Sequence, residues 1–325
     1  LPTRLVEITA KSDNQLSIRL VISKSLGLRS IRYATLSHCW GSGSRGPTET
    51  TTKNVRAHTE GIPWESLTPT LQDALKVCNA LEIGYIWIDS LCILQEDPED
   101  WEREVAMMAK VFGGSDLTIA AADSPDSHGG LFLDSIIPPC VVFEEESLEP
   151  TSAAMIRWKP GEPSGLYKTI LNSRGWVFQE LLLSRRRVYF TESQLYWHCQ
   201  WLTVSEDDHD GVYGTTFLPG GGAAEYGLQL WHELIADFSS KSFSFPTDRL
   251  AAIAGIVDWY QAKTGQVPII GLWRESVLTD LTWKVHRPGY REDRIKADSA
   301  HPTRSPIPRL PSWTWLFWDA NDLRN

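Results

Sequence analysis

The 325-residue chain has no apolar run near the roughly 18 residues that a membrane span needs. No signal-peptide pattern is visible at its start. It begins at Leu1 rather than Met, so a targeting segment upstream is left open. There is no basic excess. The formal charge is −10, which argues against a nucleic-acid binder held by phosphate contacts. The cysteines, Cys39, Cys78, Cys92, Cys140 and Cys199, are odd in number and contain no close pair. That argues against a disulfide scaffold or a zinc ribbon and fits a reducing, cytoplasmic setting. No P-loop, dinucleotide glycine fingerprint or zinc-ligand spacing appears, and there is no internal repeat. His198 and Cys199 stand without a second ligand pair. No metal, cofactor, nucleic acid or membrane partner is therefore expected. What the chain has in surplus is tryptophan, with fifteen. Some should line a pocket or interface, though most belong to the core.

The stretch Tyr33-Ala34-Thr35-Leu36-Ser37-His38-Cys39-Trp40-Gly41 organises the rest. Tyr33 to Ser37 reads as a strand. It runs into a hydroxyl, an imidazole and a thiol in succession, then a large ring and a glycine that lets the backbone turn. Few purely structural strands end this way.

Before it, Arg4–Ile8 and Leu16–Ile22 read as an edge hairpin turning at Asp13-Asn14. After it, residues 42–65 are rich in Gly, Ser and Thr and read as a long loop. Thr68-Pro69 opens a helix with Leu71, Leu75, Cys78 and Leu81 on one face, and Gly84 ends it. Tyr85–Ile88 is a short apolar strand ending in Asp89-Ser90. Asp97 caps a helix begun by Pro98 and expected to run to about Phe112. Asp116–Ala122 is the next strand. Strand–helix–strand–helix–strand over residues 33–122 argues for a parallel sheet with right-handed crossovers. Ligands of such sheets collect outside the carboxyl ends of the strands. Ser37-His38-Cys39 and Asp89-Ser90 would share that rim.

Further on, residues 123–165 read as a surface excursion with one or two short strands and the acidic patch Glu144-Glu145-Glu146. Asn172 or Ser173 caps a helix over Arg174–Leu182. Arg187–Thr191 and Gln194–Cys199 alternate like a hairpin. Residues 203–225 read as a loop, with Pro219-Gly220-Gly221-Gly222 at its end. Helical patterns run over Leu228–Ser240, Asp248–Tyr260 and Gly271–Val285. The tail holds Pro302, Pro306, Pro308 and Pro311, then Ser312-Trp313-Thr314-Trp315, and reads as an extended segment packed back on the body. The organisation expected is an α/β domain with an N-terminal edge hairpin over residues 1–200, and a mostly helical extension packed on it over residues 201–325.

Among the candidates for chemistry, Glu104 carries most weight. It lies beside the helical stripe Trp101, Val105, Met108 and Phe112, so its carboxylate is either paired in a salt bridge or lines a pocket. His38 beside Cys39 invites a base-and-nucleophile reading. Neighbours on a strand point to opposite faces, however, which would aim His38 at Asp89 or Cys92 instead. The plainer reading is that His38 fixes the loop while Cys39 is buried. Asp89 either binds a hydroxyl or caps the turn that follows. Arg174 is an anion clamp or a structural ion pair, and Gln179 and Glu180 on the same helix add polar groups.

Together these blocks resemble the fungal heterokaryon-incompatibility (HET) domain. Tyr33–Gly41 is similar to its opening signature, together with Leu67-Thr68-Pro69-Thr70-Leu71-Gln72-Asp73-Ala74. Tyr85–Ile93 resembles its second block. Asp100–Glu104 and Ser173–Glu180 resemble later ones. The likeness covers roughly residues 33–200. Gly271-Leu272-Trp273 and Pro311–Trp315 resemble segments that follow the domain in such proteins. Phe112-Gly113-Gly114-Ser115 departs from the more usual Tyr-x-x-Ala. The resemblance implies a fungal, intracellular protein of non-self recognition and cell death. It also implies kinship with TIR domains, hence a flavodoxin-like (TIR-like) parallel sheet flanked by helices. Some TIR domains hydrolyse NAD through a glutamate in a Trp-x-x-Glu setting, the spacing of Trp101 and Glu104.

Three readings follow. In the first, a HET-type effector hydrolyses a nucleotide such as NAD. Glu104, His38 and Asp89 are its catalytic groups, and Ser37, Cys39, Trp40, Ser90, Cys92, Trp101 and Arg174 surround the substrate. The second is a small-molecule enzyme using His38 with Cys39 or Cys92. The third is a non-catalytic recognition module that signals by self-association.

Overall fold

Short apolar runs make the centre of the sheet, because strands covered on both faces need no polar alternation. In the computed structural model, residues 1–11, 15–27, 30–42, 46–133, 141–144, 153–156, 166, 169–199, 201–206, 208–213, 227–283 and 303–319 are described. Strands β1 (Arg4–Ala10) and β2 (Leu16–Ile22) open the chain as an antiparallel pair. Strand β3 (Ala34–Ser37) is buried throughout. Helices α1 (Val55–Glu60) and α2 (Pro69–Ala80) lead to β4 (Tyr85–Trp87). Helices α3 (Asp89–Cys92), α4 (Pro98–Val105) and α5 (Met108–Gly114) lead to β5 (Leu117–Ala121), also buried throughout. Strands β6 (Val141–Glu144) and β7 (Ala153–Ile156) form a separate ribbon. Helix α6 (Gly175–Leu183) precedes β8 (Arg186–Phe190), and β9 (Leu195–Cys199), β10 (Leu202–Ser205) and β11 (Asp208–Tyr213) continue as a meander. Then come α7 (Leu228–Ser239) and α8 (Arg249–Thr264). Strands β12 (Pro268–Ile269) and β13 (Leu272–Trp273) form a small pair, followed by α9 (Val277–Asp280). A last pair joins β14 (Thr303–Arg304) and β15 (Trp318–Asp319).

The main sheet is mixed, in the order β11-β10-β9-β8-β5-β3-β4-β1-β2. Its four central strands, β4-β3-β5-β8, are parallel. Antiparallel strands flank them on both sides. The chain leaves β3 for β4 on one side and returns to β5 on the other, so the strand order reverses at β3. One core packs Leu71 and Leu75 of α2 and Phe112 of α5 with Ile86, Trp87 and Ile119 of the sheet. A second packs Phe178 and Leu182 of α6 with Trp231 and Phe238 of α7, Ile253 and Ile256 of α8, Trp273 and Trp315. The tail segment Trp313–Trp315 is thus packed back through Trp315. Among the described residues, no helix is long and apolar enough to cross a membrane.

Several sequence expectations change. The 42–65 loop contains α1, whose His58 is buried and hydrogen-bonds Thr50 at 2.9 Å. The helix from Pro98 breaks after Val105 and restarts at Met108. Its inward face is Asp100 and Glu104, while Trp101 is 40 % exposed. The cause is Arg4, which draws both carboxylates inward. The loop expected over residues 203–225 begins instead as the hairpin β10–β11. Gly271–Val285 is not one helix. Ile270 at φ 43° and Gly271 at φ 85° turn the chain between β12 and β13, where a helix is impossible. Helix α6 starts after a 3-10 turn over Leu171–Ser173, with Arg174 rather than Asn172 or Ser173 at its N-cap. The Asp13-Asn14 turn, Glu145-Glu146, Pro219–Gly222 and Pro302 lie outside the described residues.

Candidate functional site

The carboxyl ends of β3 and β4 lie side by side, next to the β3–β5 boundary at which the strand order reverses, and open α/β sheets bind ligands in the crevice outside the carboxyl ends of their strands. Three elements supply the polar groups there. The end of β3 brings Ser37, His38, Cys39 and Trp40. The start of α3 brings Asp89 and Ser90. The N-cap of α6 and its second turn bring Arg174 and Glu180.

Asp89 is the group fixed from several directions. One carboxylate oxygen accepts the Trp40 indole N–H at 2.7 Å, and the other accepts the Ser90 backbone N–H at 2.8 Å. Its side chain keeps 25 % exposure. The turn that presents Trp40 is held by Gly41 at φ 83° and by the Ser127 hydroxyl, which donates to the Trp40 carbonyl at 3.1 Å. The chain entering α1 lies across α3, with the Thr50 N–H on the Ser90 carbonyl at 2.9 Å and the Gln95 N–H on the Thr50 carbonyl at 2.7 Å.

His38 faces Asp89, with Nδ1 4.0 Å from Oδ1, beyond hydrogen-bond reach. Only 3 % of His38 is exposed, and neither ring nitrogen has a partner. Burial lowers its pKa to about 4; Asp89 works against that and Arg174 adds to it. The imidazole is therefore neutral at physiological pH. It hydrogen-bonds neither Cys39 nor Cys92. Burial also pushes both thiols up, Cys92 to about 12. Cys39 points away into an apolar cluster with Val177, Leu181 and Tyr189. An activated thiolate needs a depressed pKa and access, and both cysteines lack these.

Arg174 donates to the His38 carbonyl. Deeper in the molecule, the Ser37 hydroxyl donates to the Glu180 carboxylate at 2.6 Å. Burial raises the Glu180 pKa to about 7, and the charge of Asp89 raises it further; Ser37 and Arg174 oppose. A hydroxyl chain sets the register of α6 on the sheet. Thr35 meets Thr118 at 2.7 Å, and Thr118 meets Ser184 at 2.6 Å. Glu180 stood in the sequence as an accessory polar group only. Its signal was an acid within the apolar run Gly175–Leu183.

Glu104 sits apart from this group. It is 1 % exposed, and its Oε1 lies 3.8 Å from an Arg4 nitrogen and 3.6 Å from Arg103 Nε. These are ion-pair distances, and neither carboxylate oxygen has a hydrogen-bond partner. Arg4 also donates to Asp100 and to the Cys92 carbonyl, and Arg103 pairs with Asp100 as well. No hydrogen bond or ion pair among the described residues joins Glu104 to His38, Asp89 or Glu180. Ser90 is buried with its hydroxyl unpartnered. The structure thus brings Ser37, His38, Trp40, Asp89 and Arg174 together. It places Glu104 in a flanking cluster and Trp101 at the surface. Among the described residues, no group of three or more His, Cys, Asp or Glu is placed to hold a metal ion.

The family model described as Heterokaryon incompatibility protein (HET) matches residues 33–180. The matched segment runs from Tyr33 at the head of β3 to Glu180 and includes every residue of the crevice group. Arg4 lies outside it. Searches of curated proteins and of solved structures gave no significant match.

Proposed function

We propose, with the HET domain over residues 33–180 as the premise, that this protein acts in heterokaryon incompatibility as a cytoplasmic cell-death effector that hydrolyses NAD. The observation that carries the reading is Asp89, a partly exposed carboxylate fixed by Trp40 and Ser90 at the carboxyl end of β4, beside the end of β3. Counted along the chain, the parallel strands β4-β3-β5-β8 run 2-1-3-4, the order of flavodoxin-like sheets. That order supports a TIR-like domain. In this reading residues 1–200 form the acting unit, β10 and β11 extend its sheet beyond that boundary, and α7 and α8 pack on α6.

In the reaction, the bond between nicotinamide and the ribosyl carbon breaks, and its electron pair leaves with the ring. Water adds to that carbon and releases a proton, giving nicotinamide and ADP-ribose. Positive charge moves from the ring onto the ribosyl carbon as the bond opens, so a fixed carboxylate at that place stabilises it. Asp89 takes this role, first expected of Glu104. Trp40 and Ser90 hold its two oxygens, and the neutral His38 leaves its charge uncancelled. Nucleophilic use of Cys39 or Cys92 is disfavoured by their raised pKa values.

The test is nicotinamide release from NAD by the purified protein, free and self-associated. Turnover in the assembled form supports the reading. Complete inertness in both forms overturns it and leaves a recognition module that signals by assembly.

A further inference from the structure

Charge in the crevice is unevenly balanced. Asp89 and Glu180 are carboxyl groups of the group itself, and Asp126, in the loop after β5, acts on Cys39 beside them. Among the described residues, one guanidinium, Arg174, faces these acids. It is already donating to the His38 carbonyl. The remaining group with a basic nitrogen is His38. It is almost wholly buried, points Nδ1 at Asp89 and has both nitrogens unpartnered. A ring held neutral in that position supplies no countercharge. The flanking cluster does not repair the imbalance, because Arg4 and Arg103 are matched there by Asp100 and Glu104. Arg174 and Asp89 are both partly exposed, but Arg174 is engaged by the His38 carbonyl, whereas, with His38 neutral, no cation among the described residues lies within ion-pair distance of the Asp89 carboxylate.

An aromatic ring stands beside it. Trp40 is partly exposed and spends its N–H on Asp89. What it can still offer a ligand is the face of its indole. A carboxylate at the N–H edge of an indole favours a flat cation laid over the ring, through charge attraction and the ring quadrupole together. Phosphate would meet like charge at the same place.

We infer that Asp89 and Trp40 form a subsite for a positively charged aromatic ring, and that the crevice distinguishes its ligand by that charge. Resting on the NAD reading, this assigns the subsite to the pyridinium ring of the oxidised nucleotide and excludes the neutral ring of the reduced one. It also gives a reason for product release, since nicotinamide leaves as a neutral molecule.

The probes are 1-methylnicotinamide, a cation, and nicotinamide, its neutral counterpart. Both are titrated into the full chain and followed by calorimetry. The cation is expected to bind at least about tenfold more tightly, a preference that shrinks as salt is added. Asp89→Asn removes the preference, and Trp40→Ala weakens binding of the cation. Equal affinities, no binding of either, or a preference that survives in a folded Asp89→Asn variant each overturn the inference. The wild-type comparison needs no variant to fold. If the cation is preferred but NAD is not hydrolysed, the subsite stands and the hydrolase reading falls. If NAD is hydrolysed without any preference, the reverse holds.

Discussion

Two carboxylate clusters lie side by side at the carboxyl edge of the sheet, and they are balanced differently. In the first, Asp100 and Glu104 on α4 face Arg4 and Arg103. Both acids are buried, and two guanidinium groups answer two carboxylates. In the second, Asp89 and Glu180 face Arg174 and an imidazole kept neutral, and Asp89 reaches the surface. Burial of a charge is tolerated when a partner is fixed beside it and is costly otherwise. The matched cluster is built to hold α4 against β1. The unmatched one retains a charge that folding alone does not need, and a charge of that kind marks a functional site.

The largest expected effect breaks the matched cluster. Arg4→Met leaves Asp100 and Glu104 facing Arg103 alone, and Arg103 is largely exposed. The loss should be about 3–5 kcal/mol of unfolding free energy, read from denaturant midpoints. A loss below about 1 kcal/mol would mean that the cluster is not what holds the N-terminal hairpin to α4.

The second effect sharpens the unmatched cluster through pH. Glu180 has a raised pKa in the fold, about 7 against 4.5. Its contribution is fully present below pH 4.5 and is lost as pH rises through 7. His38 has a lowered pKa, about 4 against 6.5. Its contribution is present above pH 6.5 and is lost as pH falls through 4. Between pH 4.5 and 6.5 the two nearly cancel, because the folded protein holds one extra proton on Glu180 and the unfolded chain one on its histidine. Glu180→Gln removes one side of that balance. Relative to wild type, the variant should gain about 1.4 kcal/mol of stability per pH unit across this window. Parallel unfolding curves at pH 5, 6 and 7 read the difference directly, and a pH-independent offset would contradict it.

These contrasts also show what the residues made legible in advance. The alternation of strands and helices, the Asp97 cap and the turn at Gly41 follow from local pattern. The Asp97 carboxylate does accept the Glu99 and Asp100 N–H groups, and Gly41 does take a positive φ. What local pattern missed depends on distant partners. Helical period puts Trp101 inward, yet the inward face of α4 is polar because Arg4, from far earlier in the chain, meets it. The acids near Asp208 read as loop, although polar side chains are ordinary on an outer strand such as β11. Glu180 reads as accessory in the sequence because the strand residue that donates to it, Ser37, lies at the other end of the domain.

The smallest stability effect belongs to the substitutions that separate the two clusters by function. Asp89→Asn keeps one oxygen to accept from Trp40 or Ser90 and sets its amide N–H against the other donor, so it should cost about 1–2 kcal/mol. Glu104→Gln removes ion pairs at 3.6 and 3.8 Å, with no hydrogen bond to lose, and should cost about 1–2 kcal/mol.

The most direct measurement is nicotinamide release from NAD by wild type, Asp89→Asn and Glu104→Gln, assayed side by side in assembled form with folding checked for each. If the unmatched cluster is the site, Asp89→Asn loses about 100-fold or more and Glu104→Gln stays within a few-fold of wild type. Loss of turnover in a folded Glu104→Gln variant, with Asp89→Asn still active, would reverse the roles of the two clusters.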